Sequence, residues 1–359
     1  MRLDLTKHLK EMLCAPGLSG YEEPIRKVVA EAWKDLSDEL QVSPLGSLHA
    51  LKRGEGNDPR PKVMLAAHMD AIGLMVTAIQ DGLLRFTQVG GVDPRILPGQ
   101  MVTVHATAQG PKNAQELPAM VVMPPQHLQP EEAGTGAIGL PFLLVDTGLR
   151  PPEVNELVRV GDLISFAQEP MELTGDTLAG HTLDNRASVA AVTVCLDLLQ
   201  RRRHLWDVYA VATSQEEVGI IGGFTSPVMI KPDFAIVSDV TFAIGPGWTN
   251  PISPKLGKGI NITDGANMHP ALFAALTRAA DAMDLPYQKS FSPGMSGTDA
   301  YGIQVAESGI PVVNIGIPLR YMHTPVELVS LKDVRRAGRL MADFISELPA
   351  DFMQTVTWE

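Results

Sequence analysis

Leu9 and Leu13 stand four residues apart near the start of the chain, the spacing of one helix face, and after a break at Pro16, Gly17 and Gly20 a second helical pattern runs from Glu23 to about Leu36. Lys62 to Ala67 then reads KVMLAA, an apolar run too short for a helix and bounded by Pro61, which predicts a strand buried on both faces. From Ile72 to Phe166 helical periodicity almost disappears. Short β-like runs (GLMVTAI, LLRFTQV, QMVTVHA, AMVVM, FLLVD, LISFA) follow one another between Gly and Pro, predicting a small inserted β-sandwich or barrel.

After about Gln168 strands and helices alternate again. A helix is predicted from Arg186 to Gln200, with Val189, Val192, Leu196 and Leu199 on one face and Arg201 to Arg203 at its negative C-terminal end. Strands DVYAVATS, FAIVSD and PVVNIGI are joined by helical segments such as ALFAALTRAADAM. The expected fold is α/β: a mostly parallel sheet with helices on both faces, formed by residues 1–70 and 168–359 and interrupted by a β-rich barrel or sandwich at 71–167.

Composition narrows the functional classes. With 359 residues, 45% hydrophobic and 19% charged, the chain can bury enough apolar surface to offset the entropy of ordering, which excludes wholesale disorder. The net charge of −12 argues against a nucleic-acid partner, which calls for a concentrated basic face. Cys14 and Cys195 are too few for a disulfide framework and are expected to be packing residues in a reduced compartment. MRLDLTKHLKEML interleaves charges with its leucines, and no run of about 18 apolar residues occurs, so the expectation is a soluble, cytoplasmic protein without a membrane partner.

In open α/β sheets ligands bind beyond the carboxyl ends of the strands. There KVMLAA leads into His68-Met69-Asp70, DVYAVATS into Gln215-Glu216-Glu217, FAIVS into Asp239, and PVVNIGI, six residues on, into His323; Asp184 sits in the turn before the Arg186 helix. Each has an ordinary explanation when taken alone. His68 and Asp70 can be a hydrogen-bonded pair on one strand face, Glu216-Glu217 a solvated helix start, and Asp184 an N-cap. Together, two imidazoles and several carboxylates on one rim suit borderline divalent cations, zinc above all, because the acids would otherwise repel one another. Five candidate ligands fit two ions sharing a carboxylate better than one.

Other signatures fall short. Gly134 to Gly139 satisfies G-x-G-x-x-G but follows an acidic loop and leads into a strand-like run, so it reads as a turn. Neither a G-x-S-x-G elbow nor a phosphate-binding G-x-x-x-x-G-K-[ST] loop occurs.

Read together, PGLSGYEEPIR (16–26), AAHMDAIGLMV (66–76), LDNRASVAAV (183–192), SQEEVGIIGG (214–223), SDVTFA (238–243), SGTDA (296–300) and PLRYMHTPVE (318–327) span nearly the whole chain. The set resembles the dinuclear metallo-aminopeptidases that assemble into hollow tetrahedral particles, a family of glutamyl and deblocking aminopeptidases with some members once labelled endoglucanases. The resemblance implies that the β-rich insert is a dimerisation domain and that the chain forms homo-oligomers: dimers, or a dodecamer of them. One ion would take His68, Asp184 and Asp239, the other Asp184, Glu217 and His323, with zinc the first expectation and cobalt or manganese the alternatives. Glu216 would be the general base, Asp70 would orient His68, and the substrate would be a short peptide cut at its N-terminus. Ala71, Ser188 and Ile244-Gly245 depart from the family's common residues at positions that are not ligands.

Three alternatives remain at this stage. An amide deacylase or a glycoside hydrolase can use the same scaffold, although adjacent Glu216 and Glu217 are poorly placed to flank a sugar bond. A non-catalytic metal-binding assembly protein would keep the fold without the reaction. Arg320, near His323, can serve either an acidic substrate side chain or a structural contact. The SPGMSGTDA loop from Ser292 can contact a substrate backbone or simply cap a helix.

Overall fold

The computed structural model describes residues 3–125, 127, 138–247 and 250–358. The expected turn at Gly134 to Gly139 therefore lies largely outside the described residues. The chain forms two compact units, one of residues 1–70, 170–322 and 327–359, the other of residues 71–169 with 323–326.

In the larger unit α1 (Leu5–Cys14) and α2 (Glu23–Trp33) precede β1 (Glu39–Val42), β2 (Leu48–Lys52) and β3 (Lys62–His68). The smaller unit supplies β4 (Gly73–Gln80), β5 (Leu83–Val89), β6 (Met101–Ala106), β7 (Gln115–Val122), β8 (Leu144–Asp146), α3 (Pro151–Leu157) and β9 (Leu163–Phe166). The chain then returns through β10 (Met171–Leu173), β11 (Thr177–Gly180), α4 (Leu183–Leu199), β12 (Asp207–Thr213), α5 (Ile221–Ile230) and β13 (Phe234–Phe242). It finishes with β14 (Ile260–Gly265), α6 (Pro270–Ala282), β15 (Tyr287–Ser292), α7 (Asp299–Gln304), β16 (Val312–Arg320), β17 (Glu327–Ser330) and α8 (Leu331–Glu347).

The large sheet runs β1-β2-β12-β3-β13-β16-β17-β11-β10, with β14 paired to β16 and to β15. Its centre, β12-β3-β13-β16, is parallel, and every residue of β13 from Phe234 to Val240 is buried, as a strand covered on both faces requires. The expectation of a mostly parallel sheet is corrected at the edges. β1, β2, β17, β11 and β10 pair antiparallel, and β14 meets β16 antiparallel. Antiparallel edges need only short connections, which is why they were built from strands of three to five residues with weak apolar runs.

The α4 span opens at Leu183, but Asp184 and Asn185 have non-helical backbone angles, so regular helix runs from Arg186 as expected; α2 stops at Trp33, short of the expected end at about Leu36. The four predicted apolar positions of α4 are all buried, and α8 lies close against it. A Cβ at Gly338 would stand 2.5 Å from the Ala191 carbonyl oxygen, so only glycine allows the two helices to approach this far. Cys195 packs in α4 as expected, whereas Cys14, at the end of α1, is exposed.

The insert closes as a six-stranded barrel in the order β4-β5-β8-β7-β6-β9. Alternation decides which side chains fill it: in β6 Val102, Val104 and Ala106 are buried while Met101 faces out. Leu74, Leu84, Val121, Val145 and Ile164 complete the interior from the other strands.

Candidate metal centre

The carboxyl ends of the central strands carry the site. His68 ends β3, Asp239 is the sixth of the nine residues of β13, and the 214–220 segment carrying Glu216 and Glu217 leaves β12. Asp184 lies just before the regular part of α4 with extended rather than helical backbone angles (φ −78°, ψ 104°). His323 sits between β16 and β17 with a left-handed φ of 60°, a conformation that costs energy for a residue with a Cβ.

The larger unit brings one group of ligand atoms together: His68, Asp184 and Asp239, all buried, each offer one atom within 4.8 Å of the others. Asp184 and Glu217 belong to the same unit, and the expected second set would add His323 from the 323–326 loop to them. The His68 Nε2 lies 3.2 Å from Asp184 Oδ1, 3.8 Å from Glu216 Oε2 and 3.9 Å from Asp239 Oδ1. Asp70 and Glu216 belong to neither set.

Asp70 has more work than sequence reading assigns to it. It lies 3.4 Å from His68 Nδ1, and its fully buried carboxylate also accepts the Ser19 hydroxyl at 2.5 Å and the backbone N–H groups of Glu216 at 3.0 Å and Glu217 at 3.1 Å. One carboxylate thus fixes the imidazole on one side and the acid pair on the other. Burial alone would raise its pKa, but these bonds outweigh it and hold Asp70 below the ordinary carboxylate value. Glu22 accepts the Gly20 and Gln215 amides at 2.7 and 3.0 Å, bracing the same segment, and Glu327 accepts the Asp184 amide at 3.0 Å. Ser19, Glu22 and Glu327 lie inside sequence segments singled out above, yet their partners are distant in the chain and no local pattern names them.

Asp299 was also missed. It stands at the first turn of α7 behind the Thr298 cap, whose Oγ1 accepts the Ala300 amide, so the SGTDA segment does cap a helix. The Asp299 side chain accepts the Thr213 hydroxyl at 2.5 Å and is 1% exposed. Arg320 donates to the Ile244 carbonyl at 2.8 Å, a structural contact.

The electrostatics show what the cluster lacks. Desolvation by burial, aided by neighbouring carboxylates and opposed by His68, pushes Glu216 up to about 8 and Glu217 up to about 10, and raises Asp239 well above its ordinary value. Asp299 rises to about 6, again mainly through burial. Burial disfavours the protonated His68, but Glu216, Asp184, Asp70 and Asp239 overcome it and raise its pKa well above 6.5. A set of acids driven to hold protons, beside the His68 imidazole, is a donor set that fits borderline divalent cations.

Comparison with known proteins defines the class of this mixed α/β protein as a peptide hydrolase. The profile of the M42 glutamyl aminopeptidase family matches residues 46–340, and the chain belongs to that family. It is 36% identical over 350 residues to the lysyl aminopeptidase of Pyrococcus furiosus, covering 96% of this chain and 98% of that one. Among solved structures, an aminopeptidase from the archaeon Desulfurococcus kamchatkensis has a TM-score of 0.89 at 33% identity, covering 98% of this chain and 97% of its own. The Pyrococcus horikoshii TET1 peptidase, which can assemble into a tetrahedron or a large octahedral shell, has a TM-score of 0.81 at 29% identity, covering 96% and 100%.

Proposed function

We propose that this chain is a metal-dependent aminopeptidase that removes N-terminal residues from short peptides, using two divalent cations, zinc first among them. The observation that carries this is the convergence of buried His68, Asp184 and Asp239 within 4.8 Å, with Glu216 at 3.8 Å from the same imidazole but outside the group. In this reading one ion would be held by His68, Asp184 and Asp239 and the other by Asp184, Glu217 and His323, with Asp184 common to both sets. When bound, the ions supply Lewis acidity and lower the pKa of water to about 7.

The chain's own groups do the rest. Glu216, raised chiefly by burial and further by its carboxylate neighbours, would be ionised near neutral pH with cations bound and could then take a proton from water and deliver it to the leaving amine. Asp70 holds the Glu216 backbone and the His68 ring in register for that transfer. An acid pair on a single segment favours this over glycoside hydrolysis.

Replacing the shared Asp184 by Ala is expected to reduce metal content, measured by atomic emission on dialysed protein, from about two ions per chain to fewer than one and to abolish amino-acyl p-nitroanilide hydrolysis. Full retention of both ions would remove the proposed bridging role.

We also infer homo-oligomerisation. Met101 and Met120 are cross-strand partners on the outside of the barrel, 55% and 45% exposed, and the TET1 relative forms closed shells. Light scattering is expected to give a multiple of 38.7 kDa; a monomer would exclude it.

A further inference from the structure

Beside Asp239 lies a cavity of about 260 Å³ within the larger unit. Its lining includes Val240, Thr241 and Phe242, which directly follow Asp239, and Ser296 and Thr298, which precede Asp299. Register places the floor on the same sheet face as Asp239. Asp239 is opposite Gly316, and Asn314, two residues earlier in β16, is opposite Val237 and Thr263. Gly316 lets its neighbours pack close beside Asp239: a Cβ there would stand 2.9 Å from Thr241 Cγ2 and 3.2 Å from Asn261 Nδ2.

The floor is polar and neutral. Asn314 is 7% exposed and its Oδ1 finds no hydrogen-bond partner among the described residues. Beside it, Asn261 Nδ2 donates to Thr263 Oγ1 at 3.0 Å and to Ser290 Oγ at 2.7 Å, fixing both hydroxyls. Among the described residues no charged side chain lines the cavity, while Phe242 and Ile252 give it apolar walls.

We propose that this cavity receives the side chain of the substrate's N-terminal residue and selects uncharged side chains such as Leu, Met or Gln over Lys, Arg, Asp and Glu, an inference that rests on the aminopeptidase reading above. Neutral amide and hydroxyl groups can pair with a neutral polar tip and tolerate methylenes. An ammonium or carboxylate entering the same space sheds part of its water and meets no opposite charge on the described lining residues. The cavity therefore rejects the side chains that the names of lysyl and glutamyl relatives would suggest.

The test compares kcat/KM of the metal-loaded enzyme on Leu-, Met-, Gln-, Lys- and Glu-p-nitroanilides, with calorimetric binding of the corresponding free amino acids. Neutral substrates are expected to be favoured by about tenfold or more, and neutral amino acids to bind more tightly. Asn314→Asp, and independently Ser292→Asp at the exposed end of the cavity, are each expected to raise the Lys-to-Leu ratio by about tenfold through the added carboxylate. Lys or Glu cleaved as well as Leu overturns the pocket assignment and leaves the peptidase intact, as does an unchanged ratio in both variants. Binding of neutral amino acids without hydrolysis of any substrate overturns the aminopeptidase reading and leaves the pocket standing.

Discussion

Glu216→Gln is expected to lower kcat/KM by about 10²- to 10⁴-fold, the usual contribution of a positioned general base, while metal content and melting temperature stay at the parent values. The separation of effects follows from the geometry. Glu216 lies outside both proposed ligand sets, so an uncharged isostere removes the proton acceptor without removing an ion's donor. Its backbone N–H remains on Asp70 Oδ1, which keeps Glu217 and His68 in place. Glu217→Gln serves as the contrast: it belongs to the proposed set with Asp184 and His323 and is expected to lose metal and activity together. The readouts are p-nitroanilide kinetics and metal analysis on one preparation. A Glu216→Gln protein with full metal and full turnover would reassign the base.

The parts of this centre that sequence could reveal are those set by local order. A buried run that ends in a polar residue marks the end of a central strand, and His68 and Asp239 follow from that alone. The β-rich insert was legible, as a sandwich or a barrel, because short runs such as QMVTVHA, in which Val102, Val104 and Ala106 alternate with Thr103 and His105, follow one another at close spacing between Gly and Pro. The antiparallel edges of the large sheet were not. A strand of three or four residues such as Met171–Leu173 takes its direction from its neighbour, which the local sequence does not encode.

Supporting contacts were hidden for a related reason. Asp70 meets Glu216 across 146 positions and Ser19 across 51, while Asp299 meets Thr213 across 86. Asp184 illustrates local reasoning overruled by tertiary demand. A carboxylate before a helix ordinarily caps it, yet this side chain converges with His68 and Asp239 within 4.8 Å. Its backbone amide is held by Glu327, 143 positions away, a contact that no local pattern announces.

Metal removal is expected to make stability strongly pH-dependent. In the protein without cations Glu216 and Glu217 have pKa values of about 8 and about 10 against an ordinary 4.5, so between pH 5 and pH 9 the folded state binds more protons than the unfolded chain. Under that condition the unfolding free energy falls as pH rises. His68 acts in the same sense. Its folded pKa is raised above 6.5, so its stabilising contribution is complete below that value and is lost as pH climbs through the folded pKa. Asp70 opposes the trend only at acidic pH, because its lowered pKa contributes stability above 3.8 that disappears on acidification. The melting temperature of EDTA-treated protein should therefore fall by roughly 5–10 °C from pH 6 to pH 9, and restored zinc should flatten the profile by supplying the positive charge that the carboxylates lack. A metal-free protein with a flat profile over that interval would mean that the acids are further apart, or better solvated, than their placement around His68 requires.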